Sequence, residues 1–341
     1  MKTPSDNLEI LKSNETKLPI HLQNKLILLI GDSYERNLVR DICELTGREA
    51  RAATLNGTLF TNNQGYSGST YVCTITKDSA SFVLVSVFHV GVLDPMINAK
   101  KYPDHWQPDS PTDLPDRISW IPHMLKSLAK ELYPALCPRL NDGITIDASA
   151  CPNSTSIDKS AILAASIIQP PLWKNETSFW YPIPDMIVAQ SSAWDLKTMK
   201  HSNEALSNWA NAVSRFLISP VLEQFGSVVK DSFEFNHDVV QWHPRLFLRT
   251  LPMVQPFMQD KTFESKRLHK LNNLVRSGVF FDLERKRFGV LDWDSLTTGL
   301  NDWYIDGFHP GPEPNKAYLQ MLLARLEGLH HRKIKPVVFI C

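Results

Sequence analysis

Five apolar residues, Leu26 to Ile30, run without interruption. A run of that length and content fits a strand buried on both faces, as at the centre of a parallel sheet. It stops at Gly31-Asp32-Ser33, where the spacing turns helical: Leu38, Val39, Ile42 and Leu45, closed by Gly47. Phe82 to Phe88 is a second strongly β-like run, preceded by a short alternating one, Thr70 to Ile75. Pro184 to Gln190, Leu246 to Thr250 and Phe288 to Asp292 read as further buried strands. Helical spacing marks Arg117 to Leu136, Asn203 to Val229, Lys261 to Val275 and residues 315–330. Strands that alternate with helices along the whole chain predict an α/β fold, a parallel sheet with helices on both faces. Right-handed crossovers then bring the strand ends to one edge.

The pattern breaks in two places. Residues 94–116 are rich in proline and aspartate and read as a long surface loop, a candidate lid. Residues 137–183 are irregular, with one short helical stretch near Lys159 to Ile168. The expected organisation is a polar lead-in over residues 1–24, then a single α/β domain over 25–335 with those two insertions.

Composition narrows the function classes. The chain has 341 residues, with 36 basic and 36 acidic side chains and a net charge of zero, so bulk charge indicates no nucleic-acid partner. No stretch of about 18 apolar residues encodes a membrane span. The first residues lack the apolar core of a signal peptide. That predicts a cytoplasmic protein if the start is complete, and a secretory-pathway lumen if it is truncated. Asn14, Asn56, Asn153 and Asn175 each open an N-x-[ST] sequon, which keeps the lumen open. The 5 cysteines show no metal-ligand spacing, and their odd number favours free thiols, although Cys137 and Cys151 flank one loop and form a candidate pair. No metal or cofactor site is expected.

The candidate chemistry lies at the two ends of the domain. A strand that ends in Gly-Asp-Ser and passes directly into a helix lifts the Ser33 hydroxyl to the carboxyl edge of the sheet, where open α/β sheets bind ligands. Unpaired amides at that helix N-terminus suit a developing oxyanion. Two readings of the stretch stand: Asp32 or Ser33 as a helix cap, and Ser33 as a nucleophile. Nucleophilic hydrolysis also needs a histidine and a carboxylate to orient it. Asp306-Gly-Phe-His309 spaces the two so that the carboxylate can reach back to Nδ1, and Pro310-Gly311-Pro312 stiffens the backbone before the final helix. Its other reading is a surface turn with a helix cap. Asp292 and Asp294 are rival acids, and His89, at a strand end, reads as a structural histidine. Trp106, Trp173, Trp180 and Trp194 are candidates for a sugar- or lipid-binding cleft, or equally for core and loop anchors.

Gly31-Asp-Ser33 and Asp306-x-x-His309 resemble the blocks of the SGNH (GDSL) hydrolase superfamily. The nearer resemblance is to its PC-esterase branch, which includes the trichome birefringence-like polysaccharide O-acetyltransferases. That branch shows Gly-Asp-Ser-x-x-Arg-Asn, as in Gly31 to Asn37, an Arg-Thr pair on a later strand, as in Arg249-Thr250, and Asp-x-x-His followed by Pro-Gly, as in Asp306 to Gly311. The resemblance implies a flavodoxin-like three-layer α/β/α sandwich with a mainly parallel sheet. It also implies Ser33, His309 and Asp306 as nucleophile, base and orienting acid of a serine acyl-esterase or O-acyltransferase. A carbohydrate or small-molecule ester, acetyl first, would be the substrate. Trp194 stands where the superfamily places an oxyanion asparagine. Gly65, Gly68 and a backbone amide near Ser192 are then candidate second donors, and Arg249 is a candidate substrate ligand or ion-pair partner. The loss of that asparagine also motivates the alternative of a catalytically impaired binding or scaffold protein.

Overall fold

The computed structural model describes residues 4–13, 17–53, 59–60, 69–78, 80–93, 114–132, 184–191, 193–200, 202–225, 245–252, 265–277, 288–298, 303–306 and 308–334. The fold is α/β, built on one 8-stranded sheet of order β3-β2-β4-β5-β1-β6-β7-β8. The strands are β1 (Lys25–Gly31), β2 (Arg51–Ala53), β3 (Leu59–Phe60), β4 (Thr70–Lys77), β5 (Ala80–Phe88), β6 (Met186–Ala189), β7 (Arg245–Arg249) and β8 (Phe288–Leu291).

β1 sits inside the sheet, between β5 and β6. Leu26, Ile27, Leu28, Leu29 and Ile30 are all fully buried, as a strand covered on both faces requires. From β5 through β1, β6 and β7 to β8 every pairing is parallel. Their registers align the ends: Gly31 opposite Phe88, Ile30 opposite Ala189, Ala189 opposite Leu248, and Arg249 opposite Leu291. One carboxyl edge therefore carries the residues after β1, β5, β6, β7 and β8.

The other side of the sheet departs from the parallel expectation. β4 pairs with β5 antiparallel, and β2 joins β4 and β3 the same way. The reason is the connection. Lys77 pairs with Ala80 across two residues, Asp78 and Ser79, which is enough for a hairpin and far too short for a parallel crossover.

Helices complete the core. They are α1 (Pro4–Lys12), α2 (Ser33–Leu45), α3 (Leu114–Leu132), α4 (Ala193–Thr198), α5 (Asn203–Val213), α6 (Ser265–Ser277), α7 (Trp293–Thr297) and α8 (Pro312–Ile334). α5 continues through a π-helical stretch, Ser214–Ile218, into a further helical turn that reaches residue 225. α1, α2 and α8 pack together, and α3 packs on the π-helical segment. α1 lies inside the stretch read as a polar lead-in. Its Leu8 and Leu11 are buried, so a largely polar segment docks through two apolar side chains. Helix α3 begins at Leu114, within the predicted loop. Residues 94–113 and 133–183, with the helical stretch near Lys159, lie outside the described residues.

Cys43 on α2 and Cys73 on β4 form a disulfide, with Cα atoms 5.6 Å apart. The expectation of free thiols fails for these two. An odd cysteine count excludes only complete pairing, and the fold lays α2 against β4. The bridge closes a loop of 30 residues, so its loss is expected to destabilise the protein by about 3–4 kcal/mol. Denaturant unfolding of Cys43→Ser should show the unfolding free energy falling by that amount, with a lower midpoint. An unchanged midpoint would deny the tether any role in stability.

Candidate active site

The turn after β1 is set by helix capping. Asp32 is the N-cap of α2, and its carboxylate accepts a hydrogen bond from the Tyr34 amide at 3.0 Å. Glu35 reciprocates: its Oε2 accepts from the Asp32 amide at 3.0 Å, which completes a capping box. Asp32 thus takes the cap, and Ser33 is the first residue of the helix. The Ser33 amide has no hydrogen-bond partner among the described residues. It points from a helix N-terminus, where the field favours negative charge. A Cβ on Gly31 would lie 2.0 Å from Glu35 Oε2, so only glycine lets the carboxylate fold back under the turn.

The loop before α8 is closed by backbone bonds. Tyr304 bridges Pro310, and Ile305 N–H donates to the His309 carbonyl at 3.0 Å. The Gly311 amide donates to the Trp303 carbonyl at 2.8 Å, and a Cβ on Gly311 would sit 2.6 Å from that same oxygen. Within the loop, Asp306 Oδ1 accepts from the Phe308 and His309 amides at 2.9 and 2.7 Å. Its Oδ2 lies 2.7 Å from His309 Nδ1. A carboxylate only accepts, so Nδ1 carries a proton that faces Asp306, the tautomer in which Nε2 is left to accept. His309 Nε2 lies 2.8 Å from Ser33 Oγ, within hydrogen-bond reach of the hydroxyl.

Ser33, His309 and Asp306, from opposite ends of the sequence, therefore form one hydrogen-bonded line. Burial pushes the Asp306 carboxyl up, but the two amides and the imidazole outweigh it and hold the group below the usual carboxylate range. The Asp306 side chain is 53 % exposed and that of His309 21 %, so the line lies open to solvent at its acid end.

Beneath it the polar groups are buried. Arg249, at the end of β7, donates through Nε to Glu35 Oε1 at 2.6 Å, and its side chain is wholly buried. Gln190, after β6, donates to Glu35 Oε2 at 3.1 Å. Burial pushes the Glu35 carboxyl up, against the pull of the Arg249 guanidinium. The guanidinium lies 4.6 Å from the Trp293 ring centroid and 5.5 Å from that of Tyr34. The Tyr34 hydroxyl donates to the Phe308 carbonyl at 3.1 Å, next to His309.

The remaining candidates lie elsewhere. Asp292 and Asp294 both pair with Arg276, at 2.7 and 2.6 Å, and neither is bonded to His309. His89 is buried, with Nε2 2.7 Å from the Gln190 carbonyl and Nδ1 accepting from the Gly91 amide at 3.1 Å; burial pushes its pKa down. That is a satisfied structural histidine. Trp194 lies in the first turn of α4 and packs edge-on against Phe88, centroids 6.4 Å apart, with Lys197 Nζ 3.9 Å from its ring centroid. Gly65, Gly68, Ser192, Trp106, Trp173 and Trp180 lie outside the described residues. Among the described residues no cluster of histidine, cysteine and carboxylate could hold a metal ion, and no helix is long and apolar enough to cross a membrane.

Sequence reasoning missed Glu35, Gln190 and Tyr34. A signal existed for Glu35, because an aspartate followed three residues later by a glutamate at a helix start is the capping-box pattern. Nothing marked Gln190, whose role depends on β6 lying beside β1.

No protein-family model matches the sequence. No curated protein matches it either. Solved structures that superimpose on it include the lipase Lip_vut3 from a goat rumen metagenome. That pair shares 11% identity at a TM-score of 0.34, over 88% of this chain and 96% of the lipase. A family two carbohydrate esterase from Clostridium thermocellum in complex with cellohexaose gives 12% identity and the same TM-score of 0.34, over 92% of this chain and 67% of the esterase. An active-site mutant of a family two carbohydrate esterase from that organism gives 13% and 0.34, over 91% of this chain and 65% of the esterase. At that level of likeness neither fold nor activity carries over.

Asp292 yields a pH prediction. Burial raises its pKa, but hydrogen bonds from Arg276, Ser295 and Thr250 win and bring it down to about 2 from 3.8. A depressed folded-state pKa stabilises above the unfolded value and loses that contribution as the pH falls toward the folded one. Urea midpoints of Asp292→Asn should therefore vary less between about pH 4 and pH 2 than those of the wild type. Parallel acid limbs in the two proteins would show that this carboxylate is not titrating against Arg276.

Proposed function

We propose that the protein is a serine acyl-esterase or O-acyltransferase that works through an acyl-enzyme on Ser33. One observation carries the reading: Asp306, His309 and Ser33 are joined by hydrogen bonds of 2.7 and 2.8 Å at the carboxyl edge of the sheet.

His309 Nε2 takes the Ser33 proton as Oγ attacks the ester carbonyl. Asp306 keeps the Nδ1 proton in place and stabilises the imidazolium that forms. The carbonyl oxygen gains charge facing the start of α2, where the Ser33 amide donates to it. Collapse of the tetrahedral intermediate breaks the ester C–O bond, and the leaving alcohol takes the proton back from Nε2. Water or a sugar hydroxyl then attacks the acyl-enzyme with the same base, and Ser33 is regenerated. Which acceptor wins depends on how far the closed site excludes water. Acetyl on a carbohydrate is the substrate reading that the motif resemblance supports. The reaction needs no cofactor.

Purified protein is expected to hydrolyse p-nitrophenyl acetate and to be labelled by a fluorophosphonate. Ser33→Ala should lose both, and His309→Ala should slow both by at least about 10³-fold. A well-folded wild type that is neither labelled nor active would favour the catalytically impaired binding protein, for which Trp194 in place of an oxyanion asparagine is the motive.

A further inference from the structure

We infer that Glu35 and Arg249 form a positioning pair that holds both partners of the Ser33–His309 hydrogen bond from beneath, and that Arg249 does not contact substrate. The inference rests on the esterase reading and adds to it the device that sets the reacting geometry.

The pair grips the nucleophile side directly. Glu35 Oε2 takes the Asp32 amide, the residue before Ser33, at 3.0 Å, and Gln190 fixes the same oxygen from β6 at 3.1 Å. Glu35 Oε1 takes Arg249 from β7 at 2.6 Å. One carboxylate thus references the serine turn to two neighbouring strands. The histidine side is reached through aromatic contacts. The Arg249 guanidinium lies against both Trp293 and Tyr34, at 4.6 and 5.5 Å. Tyr34 packs 5.4 Å from the His309 ring and bonds the Phe308 carbonyl at 3.1 Å. The Arg249 side chain is 0% exposed and that of Glu35 1%, so neither presents a polar head to a ligand. Arg249 also donates through Nη1 to the Thr250 carbonyl at 3.0 Å, a second anchor for the guanidinium.

Replacing one member would strand a buried charge and unfold the protein for an uninformative reason. The test therefore uses two double variants. Glu35→Leu with Arg249→Met removes the charges and the acceptor for the Asp32 amide. Glu35→Gln with Arg249→Met removes the charges and keeps an acceptor. Both should fold, since apolar or neutral replacement of a whole buried pair is tolerated. The leucine–methionine variant should be labelled by fluorophosphonate roughly 10–100-fold more slowly than wild type, as misplacement by about 1 Å predicts. Its kcat for p-nitrophenyl acetate should fall at unchanged KM, and its crystal structure should show the Ser33–His309 contact opened beyond hydrogen-bond distance. The glutamine–methionine variant should recover part of the rate. A folded leucine–methionine variant with wild-type rate and contact would overturn the inference, leaving the pair a matter of stability alone. A raised KM at unchanged kcat would overturn it differently, by placing Arg249 on the substrate. If wild type itself is not labelled, the esterase reading fails, while the contact distance in the variants still decides whether the pair positions Ser33.

Discussion

The site depends on one carboxylate that never meets solvent. Glu35 lies beneath the turn after β1 and takes donors from Asp32, Gln190 and Arg249, which belong to three different segments of the chain. Burying such an ion pair carries a desolvation penalty that can exceed its Coulombic gain, so stability alone is a poor reason for it. What it supplies is position. A hydrophobic side chain at residue 35 would fill the space, but its contacts would not fix the Asp32 amide, and three strand ends would meet without a common reference. Gly31 is the other half of this arrangement, because any side chain there would occupy the place of the Glu35 carboxylate.

Burial beneath and exposure above divide the labour. The buried carboxylate is surrounded by donors and holds geometry, whereas Asp306 is half exposed and, among the described residues, accepts hydrogen bonds from its own loop, His309 included. An acid that orients an imidazole needs to be ionised, and the two amides it accepts favour that state. The polar side chains that reach solvent are thus the ones with chemical work in the proposed reaction, while Glu35 and Arg249 are held away from ligands.

Much of this is legible in the sequence, and the reasons differ by element. β1 and the serine turn follow from an uninterrupted apolar run that ends in Gly-Asp-Ser, because a doubly covered strand and a helix start leave local marks. The Asp306–His309 contact follows from a three-residue spacing inside one turn. The Glu35–Arg249 pair spans 214 positions, and no local pattern announces it. The antiparallel wing escapes a reading of composition, which does not reveal strand direction, although the two-residue link between β4 and β5 contains the answer. The Cys43–Cys73 bridge depends on α2 lying against β4, a tertiary fact that cysteine counting cannot supply.

The two features that the sequence hides act on the same helix. α2 begins at Ser33, where the capping box and the Glu35–Arg249 pair fix its first turn. Near its other end Cys43 is bonded to Cys73 on β4. A helix secured at its first turn can still pivot about it, and a 13-residue lever turns a small angular change there into a large displacement of the far end. Tying the far end to the sheet removes that freedom. The covalent bridge also joins the antiparallel wing to the helix that carries Ser33, so the part of the sheet with no residue in the hydrogen-bonded line still constrains where that serine sits.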